Sequence, residues 1–330
     1  MTTLVHHRHR STALAAVLAL IGAVLLGLTA CTPTGAQRPG VVVTTNILGD
    51  ITREIIGDQA EVTVLMGPGA DPHSFGISAP QAAKIEQADL IVHNGLGLEE
   101  NVLRHVEAAR ESGVAALAVG EGVDPLTYAS DDMAGRPDPH FWTDPTRVRT
   151  AVRLITDRLI EHVDGVDAAV IRANATRYDT RLADLTAWME NRFAAMPPNK
   201  RNLVTNHHVF GYLAQRFGFR VIGVVIPSGT TLASPSASDL KSLATAIEKA
   251  KVPAIFADSS QPDRLAQALQ RESHVDVRVL PLFSESLTER GGGAATYLEM
   301  MRANTTAIAD GLGAPTPTAR PTAGTERKTP

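Results

Sequence analysis

The chain has 330 residues, 44% of them hydrophobic, and carries 31 basic against 35 acidic residues. That length accommodates one large or two ordinary domains. The net charge of −4 argues against nucleic-acid binding, because a phosphate-binding protein usually presents a basic face.

The first 30 residues predict a signal peptide. Arg8 and Arg10 begin a positive region, and the apolar stretch Ala13 to Leu28 is short and rich in small residues. It ends at Leu28-Thr29-Ala30-Cys31, which resembles the lipobox of bacterial lipoproteins, where the signal is cut before a cysteine that is then lipidated. The resemblance implies an anchor at Cys31 on the extracytoplasmic face of the cell membrane. There are two alternatives. The segment can be an ordinary secretory signal that a cysteine follows by chance, or it can be a membrane anchor.

Strand and helix patterns alternate through the next part of the chain. The predicted strands cover residues 41–45, 61–66, 89–93 and 114–119, and the predicted helices cover 47–56, 81–87 and 99–111. This alternation is typical of a parallel sheet covered by helices. The segment 121–139 is rich in Gly, Pro and Asp, which predicts an exposed loop.

Two helical patterns follow, at 148–163 and 166–193, and Pro197-Pro198 ends the second. At about 1.5 Å per residue the second helix reaches roughly 40 Å, which predicts a rigid rod between two lobes. The alternation then restarts, with strands at 203–205, 220–226, 252–256 and 275–282 and helices at 210–217, 238–250, 262–272 and 294–312.

These patterns predict an α/β protein with two parallel-sheet (β/α)4-type lobes, joined by one long rigid helix. The predicted segments are a signal peptide (1–30), a flexible spacer (31–40), an N-terminal lobe (41–165), the linking helix (166–198), a C-terminal lobe (199–313) and a disordered tail (314–330).

Four side chains stand at positions suited to ligand binding. His73, His207 and Glu285 each follow a predicted strand closely, and His140 precedes a helix start. Parallel sheets bind ligands beyond the carboxyl ends of their strands. Two of the positions lie in each lobe, so we expect them to meet in the interlobe cleft. Imidazole and carboxylate together suit Zn²⁺ or another borderline divalent cation.

Each of these residues also has an ordinary interpretation. A histidine in a loop is commonly a surface residue, and the two Asp-Pro-His tripeptides can be turns without function. Glu285 can be a surface acid. His207 and His208 are adjacent, so their side chains should point to opposite sides and only one can be a ligand.

From about Val41 to Leu312 the chain resembles the solute-binding lipoproteins of bacterial zinc/manganese ABC importers, the TroA/ZnuA-like family. The matching motifs are Gly69-Ala70-Asp71-Pro72-His73-Ser74-Phe75, the segment Ala88 to Glu99, Asp138-Pro139-His140-Phe141-Trp142-Thr143-Asp144-Pro145 and Thr205-Asn206-His207-His208-Val209-Phe210-Gly211-Tyr212. The resemblance implies a metal site made by His73, His140, His207 and a C-terminal carboxylate, here Glu285. It also implies a monomer that delivers the ion to the transmembrane subunit of an ABC permease.

Two departures from the family pattern concern the metal. The fourth ligand is typically Asp in the family, whereas this chain offers Glu285, so Asp258 after a neighbouring strand is the alternative carboxylate. Many zinc-specific members carry a long His-rich loop, whereas residues 126–137 hold Asp131 and Asp132 but no His. Three nitrogens and one oxygen favour Zn²⁺, and Mn²⁺ is the alternative.

Metal delivery is not the single function that a lipid anchor and a metal site allow. A secreted metalloenzyme needs an open metal position and a nearby base, but the sequence has no His-Glu-x-x-His helix and no Gly-x-Ser-x-Gly elbow. We therefore expect a binding protein and no enzyme. An adhesin or a metallochaperone would carry the same anchor and metal site, so both stay open.

Overall fold

A computed structural model of the chain describes residues 40–128 and 133–314. The predicted signal peptide, Cys31, the spacer up to residue 39 and the tail beyond residue 314 lie outside these residues, as do Asp131 and Asp132. Within the described ranges, no helix is both long enough and apolar enough to cross a membrane.

The first lobe is a four-stranded parallel sheet with the strand order β2-β1-β3-β4. Its strands are β1 (Gly40–Val43), β2 (Glu61–Val64), β3 (Leu90–His93) and β4 (Ala115–Ala118), and its helices are α1 (Asn46–Ile56), α2 (Ala79–Glu86) and α3 (Glu100–Glu111). Val41 and Val43 enter one buried cluster and Val42 enters another. The β1 strand is thus packed on both faces, which explains its continuous apolar sequence.

The second lobe repeats this arrangement, with the strand order β6-β5-β7-β8 and parallel pairing throughout. Its strands are β5 (Asn202–Thr205), β6 (Arg220–Val224), β7 (Ala254–Asp258) and β8 (Arg278–Leu282), and its helices are α6 (Gly211–Phe217), α7 (Ala237–Ala250), α8 (Arg264–Glu272) and α9 (Tyr297–Gly311). The predicted fold class is confirmed. The last helix begins three residues later than predicted, because the Thr296 side chain accepts a hydrogen bond from the backbone N–H of Glu299.

Two helices, α4 (Pro145–His162) and α5 (Ala168–Ala194), separate the sheets in the chain. The α5 helix contacts both lobes. Near its start, Asn174 Nδ2 donates to the carbonyl of Ile55 in α1 at 2.9 Å. Near its end, the Phe193 ring packs edge-on against Phe217 and Phe219, with ring centroids 5.2 and 4.8 Å away. The 27 residues of α5 include no Gly or Pro, so this helix has none of the usual causes of a kink.

The described residues of the segment after β4 are largely exposed, as the composition predicts, but part of the segment has regular structure. Val119–Gly122 forms a short 3-10 helix, and Thr127 and Pro137 then pair in an antiparallel bridge. Tyr128 N donates to the carbonyl of Arg136 at 3.0 Å, which continues the bridge. The Tyr128 side chain is buried even though most of its neighbours are exposed, so this segment points one aromatic ring inward.

Candidate metal centre

His73 lies in a tight turn beyond the carboxyl end of β2. Asp71 Oδ1 accepts a hydrogen bond from the His73 backbone N–H at 2.9 Å, which closes the turn. Gly69, with φ +69°, starts this turn in the left-handed region that glycine adopts without strain. His73 is 5% exposed as a residue, so its imidazole is buried.

His140 lies in a second turn of the same kind. Asp138 Oδ1 accepts from the His140 backbone N–H at 2.9 Å and also lies 2.8 Å from His140 Nδ1. The carboxylate therefore holds the Nδ1 proton and leaves the Nε2 lone pair for a cation. Asn94 at the end of β3 fixes the turn by donating to the carbonyl of Pro139 at 3.1 Å. Both Asp-Pro-His tripeptides thus share the hydrogen bond from the histidine backbone N–H to the aspartate Oδ1.

His207 follows β5, and its carbonyl accepts from Thr205 Oγ1 at 3.0 Å. Its ring is completely buried. The neighbouring His208 is half-buried, and its ring packs against Tyr128 with the centroids 6.0 Å apart. The two adjacent histidines therefore have different surroundings, and only His207 joins the other three predicted residues.

Glu285 follows β8 in the second lobe, yet its backbone neighbours are held by the first lobe. Trp142 Nε1 donates to the Ser284 carbonyl at 2.9 Å. Asn46 at the start of α1 donates to Ser286 Oγ at 2.7 Å and accepts from the Leu287 N–H at 2.9 Å. The segment that carries Glu285 is thereby fixed across the cleft.

The four predicted side chains converge between the lobes. One ligand atom from each of His73, His140, His207 and Glu285 lies within 4.8 Å of the others, and all four residues are buried. His140 Nε2 is 3.4 Å from His73 Nε2 and 3.5 Å from Glu285 Oε1. A tetrahedron of ligands 2.0–2.1 Å from zinc has edges of about 3.3 Å, so these spacings suit a small cation.

Burial shapes the charge of this cluster. It lowers the pKa of His73 to about 4 and lowers the pKa values of His140 and His207 below the ordinary range. It raises the pKa of Glu285 well above 4.5. His207 Nε2 and Glu285 Oε1 are 2.9 Å apart, and an unprotonated ring nitrogen and a carboxylate oxygen are both hydrogen-bond acceptors. A proton or a metal ion must lie between them.

Asp258, the alternative carboxylate, has other partners. Its Oδ1 accepts from the N–H and the hydroxyl of Ser260, and its Oδ2 accepts from Ser284 Oγ at 2.5 Å. It is buried at the end of β7 but does not belong to the group of four. Its hydrogen bond to Ser284 instead supports the residue that precedes Glu285.

Several residues around the cluster were not identified from the sequence. Tyr128 lies with its hydroxyl 3.3 Å from His140 Nδ1, and Asn46 and Trp142 hold the segment around Glu285. Asp71 and Asp138 could have been found, because both stand in the repeated Asp-Pro-His tripeptide. Trp142 lies in the motif that contains His140, whereas no local pattern marks Tyr128 or Asn46.

Comparison with known proteins places these motifs in a wider group. The sequence model of the ZnuA family, described as the periplasmic component A of the zinc-uptake complex, matches residues 41–311. The metal ABC transporter substrate-binding lipoprotein FimA of Streptococcus parasanguinis is 31% identical over 310 residues, which are 91% of this chain and 98% of FimA. The manganese ABC transporter substrate-binding lipoprotein PsaA of Streptococcus pneumoniae is 28% identical over 91% of this chain and 98% of its own length.

A solved structure is similar as well. The periplasmic zinc-binding protein TroA of Treponema pallidum superimposes with a TM-score of 0.77 and 30% identity. The match covers 83% of this chain and 99% of TroA.

Proposed function

Because the chain belongs to the ZnuA family of periplasmic zinc-uptake components, we propose that it captures Zn²⁺ outside the cytoplasm and delivers it to an ABC-type import permease. The observation that carries this proposal is the buried convergence of three imidazoles and one carboxylate. All four ligands come from the protein, so the ion is held without an open position for a reactive water. Such closure suits binding and transport rather than catalysis.

Zinc is proposed over manganese from the chemistry of the ligands. Three nitrogens and one oxygen favour the borderline ion Zn²⁺, whereas Mn²⁺ is harder and prefers more oxygen ligands. The relatives carry both metals in their names, zinc for TroA and manganese for PsaA. Manganese is therefore the alternative cargo that the experiment must distinguish.

The test combines metal content with transfer. Protein purified without added metal is expected to carry up to one zinc per chain, and the stripped protein should bind Zn²⁺ more tightly than Mn²⁺ in competition with a chromophoric chelator. Vesicles that contain the permease should then accumulate zinc only when the loaded protein is present. Preferential retention of manganese would show that manganese is the cargo in place of zinc. Tight zinc binding without uptake would favour an adhesin or a metallochaperone.

We also propose that Cys31 carries a lipid anchor, since it ends a signal-like segment and the relatives FimA and PsaA are named lipoproteins. Cys31→Ala is expected to move the protein from the membrane fraction to the soluble extracytoplasmic fraction or to leave the precursor unprocessed. Cell fractionation and the mass of the mature N-terminus measure this. A Cys31→Ala protein that is still lipidated and membrane-bound would disprove the anchor.

A further inference from the structure

We propose that Asp71 is a positioning residue that couples His73 to closure of the cleft, and that hydrogen bonds from Thr231 and Gln261 to its carboxylate set how long a bound ion is retained. This inference rests on the proposed metal-binding function. It concerns how the site is opened, and it involves residues of the second lobe that are not metal ligands.

The two oxygens of Asp71 have different partners. Oδ1 accepts from the His73 backbone N–H at 2.9 Å and so fixes the turn that presents the imidazole. Oδ2 accepts from Ser74 Oγ at 3.1 Å, from Thr231 Oγ1 at 2.6 Å and from Gln261 Nε2 at 2.9 Å. The residue is 6% exposed, so these donors replace water around a buried carboxylate.

Thr231 and Gln261 belong to two separate loops of the second lobe. Thr231 lies between β6 and α7, and Gln261 lies between β7 and α8. One carboxylate of the first lobe is therefore held from two loops of the other lobe. Separating the lobes requires both hydrogen bonds to break, so the Asp71 carboxylate loses two of the three side-chain donors to its Oδ2.

The second Asp-Pro-His turn shows that this contact is not needed to form the turn. Asp138 Oδ1 accepts from the backbone and lies beside the ring of its own histidine. Its connection to the second lobe runs through its backbone carbonyl, which accepts from Tyr212 Oη at 2.6 Å. Of these two aspartates, Asp71 alone combines the turn-forming bond with side-chain bonds from two loops of the opposite lobe, so its carboxylate has a role beyond the turn.

The position of the Thr231 loop links this contact to a cavity beside His73. A cavity of about 320 Å³ reaches His73 and is lined by Leu96, Tyr128, Thr230 and Leu232 among others. The side chain of Leu232 is 63% exposed, which places this loop at the mouth of the cavity. Movement of the loop away from Asp71 would widen the opening beside His73.

The test uses isosteric changes that leave the four proposed ligands and Asp71 intact. Thr231→Val and Gln261→Leu each remove one donor to Asp71 Oδ2. Each is expected to raise the rate constant of Zn²⁺ dissociation roughly tenfold, the effect of losing one hydrogen bond to a charged group. Stopped-flow mixing of the zinc-loaded protein with an excess of chelator measures this rate, and thermal unfolding of the metal-free variants checks that they are folded.

Matched controls are available in the same lobe. Gln267→Leu removes an exposed bond from Gln267 Nε2 to Asp263 Oδ2, and Thr245→Val removes one from Thr245 Oγ1 to the Lys241 carbonyl. Neither contact crosses the cleft, so both controls should release zinc at the wild-type rate. Unchanged release from Thr231→Val and Gln261→Leu would overturn the proposal.

A double-mutant cycle with His73→Ala separates this proposal from the proposed function. If Asp71 acts through His73, Gln261→Leu should have little further effect on zinc release once His73 is replaced. An equal acceleration in the presence and absence of His73 would overturn the coupling while leaving the metal site intact. Wild-type zinc affinity in His73→Ala itself would overturn the proposed site and the inference together.

Discussion

Replacing His140 by alanine is expected to weaken Zn²⁺ binding by more than roughly a hundredfold, since loss of a ligand should exceed the 10–100-fold cost of losing a residue that only supports one. His140 is fully buried, and its Nε2 lies 3.4 Å from His73 Nε2 and 3.5 Å from Glu285 Oε1. Isothermal titration calorimetry in competition with a chelator measures the affinity of the stripped protein.

The matched control for His140→Ala is His208→Ala. His208 is also a histidine near the cleft, but it is not one of the four converging residues and its ring packs against Tyr128. Its replacement should change zinc affinity by no more than about threefold, within the range of ordinary packing changes. Near wild-type affinity in His140→Ala, or a collapse of affinity in a folded His208→Ala protein, would mean that a different set of ligands binds the metal.

Glu285→Gln is expected to stabilise the metal-free protein while weakening zinc binding by more than roughly a hundredfold, because a neutral amide is a far poorer ligand than a carboxylate. The metal-free protein gains stability because burial raises the pKa of Glu285, so ionising this carboxyl group destabilises the folded state. Glutamine carries no charge, and its amide can donate permanently towards His207 Nε2, which now lies 2.9 Å from Glu285 Oε1. A gain of roughly 1–3 kcal/mol in unfolding free energy is expected.

The stability of the metal-free protein depends on pH with opposite signs for the Glu285 carboxyl group and for the buried histidines. A carboxyl group with a raised pKa in the folded state favours folding at low pH, and this contribution is lost as pH rises from about 4.5 through the raised value. The three buried histidines act in the opposite sense, since the unfolded chain takes up protons as pH falls below 6.5.

Urea unfolding of the metal-free protein above pH 7 therefore isolates the carboxyl contribution. Glu285→Gln should be more stable than the wild type at this pH. Added zinc should raise the urea midpoint of Glu285→Gln less than it raises that of the wild type. Equal stability without metal, or equal stabilisation by zinc, would contradict this account of Glu285. Glu285→Asp is the control, because it keeps the charge but shortens the side chain. It therefore separates the effect of the charge from the effect of side-chain length.

The architecture and the four converging residues were accessible to sequence analysis for a physical reason. Strand and helix periodicities are local, and the carboxyl ends of parallel strands meet at one edge of each sheet. Residues that closely follow two strands of one sheet, such as His207 after β5 and Glu285 after β8, are therefore brought to the same edge by topology alone. Their assignment as metal ligands remains a prediction until affinities are measured.

The surroundings of the cluster were not accessible in this way. Asn46 contacts Ser286, 240 residues further along the chain, and no short motif predicts that pairing. Glu285 and Asp258 could not be separated either, because β7 and β8 are neighbours and Asp258 pairs with Leu282 in the sheet. The direction of each side chain at that edge decides which carboxylate faces the histidines, and direction follows from packing that the sequence does not display.

The spacing of the four residues along the chain also determines when a metal ion can act. In a zinc finger the ligands lie close together in sequence, and the ion drives the folding of the peptide. Here successive proposed ligands are roughly 70 residues apart, so no short stretch of unfolded chain contains two of them. The chelating array forms only after both sheets have assembled and docked. A metal ion held at the proposed site therefore cannot nucleate this fold. It acts by mass action on the native state, adding about 4 kcal/mol when its concentration is about 1,000 times Kd. The metal supply then sets how long the folded molecule persists, and not how fast it forms.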